Sequence, residues 1–140
     1  MPGNVALHVG LFQDTLEPFL KANTEPAAFV HLDADIYSAT IYVLRTLMRE
    51  GRLVNGTILA FDELINVPEW KTGEFLAFAE FLAEYDFDLE WIAQVKPMEL
   101  NVKADIGIDQ QVAVRLLTRA GKGRTNVLRR RRLRRSRPFR

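Results

Sequence analysis

Apolar residues follow two different rhythms along this chain. Two short apolar runs, Phe29-Val30-His31-Leu32 and Thr57-Ile58-Leu59-Ala60-Phe61, each end on acidic residues, Asp33 with Asp35 and Asp62 with Glu63. Between them Thr40, Val43, Leu44, Leu47 and Met48 recur at the spacing of one buried helical stripe, while Arg45, Arg49 and Glu50 fall on other faces. Short apolar runs flanking a helical pattern predict a β-α-β unit of a buried parallel sheet. Gly51 suits the end of that helix, and Val54-Asn55-Gly56 reads as the turn into the second strand.

The flanking segments extend the same architecture. Asn4 to Gly10 reads as a short strand, and Asp14 to Leu20 as a short helix with Asp14 or Thr15 able to cap it. Asn23 to Pro26 is a turn. A second amphipathic helix is predicted from about Gly73 to Tyr85, with Phe75, Phe78, Ala79, Leu82 and Tyr85 as its stripe and the aromatic Phe75, Phe78 and Phe81 assigned to the core. Leu89 to Val95 and Gln111 to Leu117 close the domain as strands. The fold class is therefore α/β.

Charge divides the chain where the totals conceal it. The formal net charge is +1, yet residues 1–118 hold all 18 acidic groups and only 8 basic ones, while 119–140 hold the other 11 basic groups. An α/β domain over 1–118 followed by an Arg-rich tail over 119–140 is the expected organisation, and the like charges of Arg129 to Arg135 predict disorder in the tail. Clustered arginines also offer phosphate neutralisation, so nucleic acid is one partner the tail could take. No apolar run is long enough for a membrane span, and the first residues, Met1-Pro2-Gly3-Asn4, lack the features of a secretory signal. Cysteine is absent, which excludes disulfide and thiolate chemistry and suits a cytoplasmic location.

The candidate chemistry lies in the acidic residues. In an open α/β sheet, ligands sit outside the carboxyl ends of the strands, where Asp33, Asp35, Asp62 and Glu63 are all predicted to lie. Two like charges about 4 Å apart repel by roughly 4 kcal/mol at an effective dielectric near 20, so such a cluster needs compensation. A hard cation such as Mg²⁺ takes oxygen ligands and suits carboxylates from adjacent strand ends. The competing reading is that Asp33 or Asp35 caps the following helix and Glu63 faces solvent. His31 shares the side of Asp33, and a histidine in an apolar run reads first as a satisfied core residue.

The string Val30-His31-Leu32-Asp33-Ala34-Asp35-Ile36-Tyr37-Ser38-Ala39-Thr40, then Gly56 to Glu63, then Pro68-Glu69-Trp70, resembles the C-terminal half of the macrocin O-methyltransferase type of class I S-adenosylmethionine-dependent methyltransferases. Val9 to Leu16 resembles the family's segment between its third and fourth strands, so the likeness covers about residues 4–118. It implies a partial Rossmann-like sheet, mostly parallel with an antiparallel last strand. It also implies Asp33, Asp62 and Glu63 as metal ligands, and Asp35 as a residue orienting the substrate or a metal-bound water, so that Asp33 and Asp35 stand as the catalytic pair. Mg²⁺ and S-adenosylmethionine are the implied cofactors, and the implied reaction is methyl transfer to a sugar or polyketide-type hydroxyl.

Glu63 departs mildly from the Asp or Asn common at its position, and no lysine follows Asp35 to serve as a base. The glycine-rich loop and acidic residue that hold the cofactor in the first half of such a sheet have no counterpart here, which predicts a fragment with an unpaired sheet edge prone to dimerisation. Asp33-Ala34-Asp35 also resembles the Asp-x-Asp metal motif of nucleotide-sugar glycosyltransferases, a reading that leaves Asp62 and Glu63 unexplained.

Overall fold

A computed structural model describes residues 3–65, 67–94 and 110–118. Helix α1 spans Phe12–Ala22, strand β1 Phe29–Leu32, helix α2 Tyr37–Arg49 and strand β2 Ile58–Phe61. A short 3₁₀ turn at Trp70–Thr72 leads into helix α3, Glu74–Glu84, followed by strands β3, Phe87–Gln94, and β4, Val112–Thr118. The tail over 119–140 and the expectations attached to it lie outside the described residues.

The predicted β-α-β unit is present. β1 and β2 are parallel, with Val30 opposite Leu59 and Leu32 opposite Phe61. The sheet is open and four-stranded, in the order β1-β2-β4-β3. β4 runs antiparallel to both of its neighbours, so β1, β2 and β3 all point the same way. Because β4 inserts between β2 and β3, the last of the described strands is internal.

Alternation along the strands gives the sheet two unlike faces. Leu32, Leu59, Phe61, Val112, Val114 and Leu116 face inward and pack with Ile41, Val43, Leu44 and Leu47 of α2 and Ala77, Phe78 and Phe81 of α3 in one core. The opposite face presents Phe29, 59% exposed, together with His31, Ala60 and Ala113. All three helices follow strands or loops that return them to the first face, and α2 packs against both α1 and α3. On the outside of the bundle Tyr37 donates to Glu80 at 2.6 Å, and Arg45 pairs with Glu84, tying α2 to α3.

Several boundaries differ from the periodicity reading. Residues 3–11 form no strand, and Val5, Leu7, Val9 and Leu11 are exposed. Alternating apolar residues make a strand only when another strand takes their backbone hydrogen bonds, and none of the described strands pairs with this segment. α1 begins at Phe12, and neither Asp14 nor Thr15 caps it; the Thr15 hydroxyl donates instead to the Leu11 carbonyl at 3.0 Å. In α3 the buried positions are Glu74, Ala77, Phe78 and Phe81, whereas Phe75 and Ala79 are exposed. The helix is thus rotated from the expected stripe, because Phe81 stacks between Phe78 and Phe87 while Phe75 turns to Trp70. Gly51, at φ 72°, closes α2 as predicted, with its amide on the Met48 carbonyl at 3.1 Å.

Polar side chains secure the loops that aim the strands. Thr57 is 1% exposed; its hydroxyl donates to the Ala27 carbonyl at 2.8 Å and accepts from the Val54 amide at 3.1 Å. It therefore joins the entries to β1 and β2. Thr57→Val keeps the shape but leaves both backbone groups unpaired, and should lower stability by about 1–3 kcal/mol in urea unfolding, with Thr57→Ser restoring most of the loss. Arg52 acts similarly at α1, donating to the Leu20 carbonyl at 2.9 Å and to that of Thr24.

Candidate functional site

The parallel pairing of β1 and β2 brings both acidic segments to one edge. The Asp62 amide donates to the Leu32 carbonyl at 2.9 Å, so the chain leaves the two strands side by side. Asp33 is exposed and Asp62 half-buried. Asp62 accepts through Oδ1 from the Gln111 side-chain amide, which fixes it against the start of β4.

Asp35 adopts a left-handed conformation, φ 59°, in the tight turn that starts α2, where the Ile36 amide reaches the Ala34 carbonyl at 2.6 Å. Such backbone is uncommon for a residue with a side chain and costs on the order of 1–3 kcal/mol unless its surroundings hold it. Gly73 supplies part of that support by its lack of a side chain. A Cβ there would stand 3.2 Å from the Asp35 carbonyl oxygen, so the start of α3 seats directly against this turn.

The residue that links the two acidic segments is Glu74, in the first turn of α3. It is 1% exposed. Its Oε1 accepts from the Ala34 amide at 3.2 Å, and its Oε2 accepts from the Glu63 amide at 3.4 Å. The Thr40 hydroxyl lies 3.5 Å from Oε1. Burial pushes the Glu74 carboxyl above the usual carboxylate range; the two amides oppose this, and the charges of Asp35 and Asp33 add to it.

Sequence reasoning assigned Glu74 no role, since an acid in the first turn of a helix is ordinary. One of the several stripes that the sequence allows does reach it. Positions 74, 77, 78 and 81 have the i, i+3, i+4, i+7 spacing of one face, so continuing the Phe78-Phe81 stripe backwards lands on Glu74.

A three-carboxylate metal centre does not fit this arrangement. The oxygens are of the hard kind that Mg²⁺ takes. Among the described residues, however, no three His, Asp or Glu side chains gather into a group that could hold a metal ion. Glu63 donates its backbone amide to the Glu74 carboxylate, and Asp62 accepts from the Gln111 side chain. Asp33, Asp62 and Glu63 thus share an edge without converging.

Next to this edge the sheet face that none of the described helices covers forms a shallow trough of about 430 Å³. Its floor is a row across the sheet: His31 opposite Ala60, Ala60 opposite Ala113, and Ala113 opposite Ala93. Asp62 and Gln111 stand on its rim. At about 4.8 Å between strands the row is roughly 14 Å long, and its small side chains leave the backbone open to close approach. His31 is exposed here, contrary to the core role its apolar run suggests. The run faces inward only at alternate residues, and His31 falls on the other set.

No family model matches this chain, and no curated protein or solved structure matches it. None of the helices among the described residues is long and apolar enough to cross a membrane.

Proposed function

We propose that this chain carries the acceptor side of an S-adenosylmethionine-dependent O-methyltransferase of the macrocin type, acting on a hydroxyl of a sugar or polyketide-type small molecule. The observation that carries this reading is the side-by-side exit of Asp33 and Asp62 from two parallel strands, held by the Asp62 amide on the Leu32 carbonyl at 2.9 Å. The strand directions agree with it, since three strands run together and the last in sequence runs against them. When bound, S-adenosylmethionine supplies an electrophilic methyl group on a sulfonium. The described residues contain no glycine-rich loop to hold it, so the reading gives them the acceptor's half of the chemistry.

On this reading the acceptor hydroxyl lies at the acidic edge. Asp33 would accept the hydroxyl proton as the oxygen takes up the methyl group that a bound S-adenosylmethionine would supply. Asp33 is more exposed than Asp62, its neighbour at this edge, and is open to a substrate. Asp35, locked by its left-handed turn against Gly73, orients the acceptor. A positioned carboxylate base contributes about 10²–10⁴-fold.

The test is incubation of the full chain with methyl-labelled S-adenosylmethionine and a panel of hydroxylated sugars and polyketides, beside a calorimetric titration of the same donor. Saturable heat and a labelled methyl ether are the expected results, with the donor held across two copies of the chain. A folded chain that neither binds the donor nor labels any acceptor overturns the reading.

A further inference from the structure

The amides at the carboxyl ends of strands, together with helix N-termini, are where α/β proteins commonly take phosphate groups. Here the amide of Ala34, just beyond β1, and that of Glu63, just beyond β2, both point at one carboxylate, from Glu74 at the start of α3. We propose that Glu74 is an internal anion that fills this amide site, so that the edge accepts neutral or cationic ligands and rejects phosphate-bearing ones.

Three further features support this. The carboxylate is 1% exposed, so an incoming phosphate would have to displace a side chain packed on the same helical face as Phe78 and Phe81. The close approach of Gly73 to the Asp35 carbonyl, 3.2 Å from where a Cβ would stand, seats the start of α3 directly against the turn that carries the Ala34 amide. The surrounding charge is also negative. Among the described residues no ion pair reaches Asp33, Asp35, Asp62, Glu63 or Glu74, and the nearest arginine on α2, Arg45, is engaged by Glu80 and Glu84.

The consequence is a ligand class. A nucleoside diphosphate sugar needs amides or cations for its phosphates, and among the described residues the two amides of this edge are taken by Glu74 and no cation pairs with its carboxylates; a sulfonium or an uncharged hydroxyl compound meets no such obstacle. The inference concerns the edge itself and does not depend on which group is transferred.

The experiment is a titration of inorganic phosphate into the isotope-labelled full chain, following the amide resonances of Ala34 and Glu63. In the wild-type chain both amides should exchange slowly with solvent and stay unmoved by phosphate. In Glu74→Ser, which empties the site, both should shift saturably, with phosphate binding strengthened roughly 10–100-fold, the range expected for charge-assisted hydrogen bonds. Wild-type amides that respond to phosphate as strongly as those of the variant overturn the proposal, as do variant amides that remain silent in a folded protein. Should Glu74→Ser not fold, Glu74→Gln provides the second arm, where removal of the charge with the shape kept should produce a weaker response of the same two amides; silence there overturns the proposal too. No methyl donor enters the measurement, so its failure and that of the methyl-transfer reading are separate results.

Discussion

Asp33→Asn should reduce methyl transfer by about 10²–10⁴-fold while moving the unfolding midpoint only slightly. The rate effect is that of removing a positioned carboxylate base, because asparagine has nearly the same shape and cannot take the proton. The small stability effect follows from exposure: Asp33 lies just beyond β1 and none of the core rests on it. Exposed substitutions of this kind usually stay within about 0.5 kcal/mol. The pair of measurements is therefore diagnostic. Unchanged transfer in the variant would remove Asp33 from the chemistry, and a large loss of stability would mean that the residue braces the turn instead. Asp35→Asn should behave less cleanly, since Asp35 also holds a left-handed turn against Gly73. Asparagine tolerates that backbone about as well as aspartate, so a drop in transfer there reads as lost orientation of the acceptor.

Phe81→Ala should have the largest effect on the fold, about 3–5 kcal/mol. The ring is fully buried, with Tyr85 at 4.9 Å, Phe87 at 6.3 Å and Phe78 at 6.5 Å between centroids. It joins α3 to the first residue of β3, so truncation opens a cavity where helix and sheet meet. Against a total stability of about 5–15 kcal/mol for a domain of this size, much of the folded population is at stake. The thermal midpoint should fall by roughly 10–20 °C. Phe75→Ala is the matched control. Phe75 is 37% exposed and meets Trp70 edge to face at 4.6 Å, a contact worth about 0.5–1.5 kcal/mol. Equal losses from the two substitutions would mean that α3 packs on the face suggested by the apolar spacing of Phe75, Phe78, Ala79 and Leu82.

That comparison shows where periodicity is weakest. In α3 apolar residues surround most of the helix, so several stripes fit and sequence spacing cannot choose among them. The choice falls to neighbours distant in sequence, Phe87 on one side and the Ala34 and Glu63 amides on the other. α2 is the opposite case. Its polar residues Arg45 and Arg49 fall on one side, and Thr40, Val43, Leu44 and Leu47 are buried as their spacing predicts.

The candidate site divides in the same way. The placement of Asp33 and Asp62 at one edge was legible, because two apolar runs joined by a helix of this length come back parallel. That Asp33, Asp62 and Glu63 share this edge without gathering into a group that could hold a metal ion was not, because sequence order places residues along strands and says little about where side chains turn after the strands end. Glu74 ties together the backbone of both turns. Glu74 lies 40 residues from Ala34 and 11 from Glu63, separations that no local pattern spans.

The sequence by itself determined the β1-α2-β2 unit, the glycine that ends α2 and the edge to which the acids belong. These follow from alternation, helical period and turn chemistry, which act over a few residues and need no distant partner. Tertiary structure alone decided that β4 enters between β2 and β3, that residues 3–11 pair with none of the described strands, that His31 and a row of alanines face outward, and that Glu74 is buried beneath both acidic turns. Each of these depends on which strand or helix arrives to take up hydrogen bonds or cover a face, and that is settled by contacts between segments far apart in the chain.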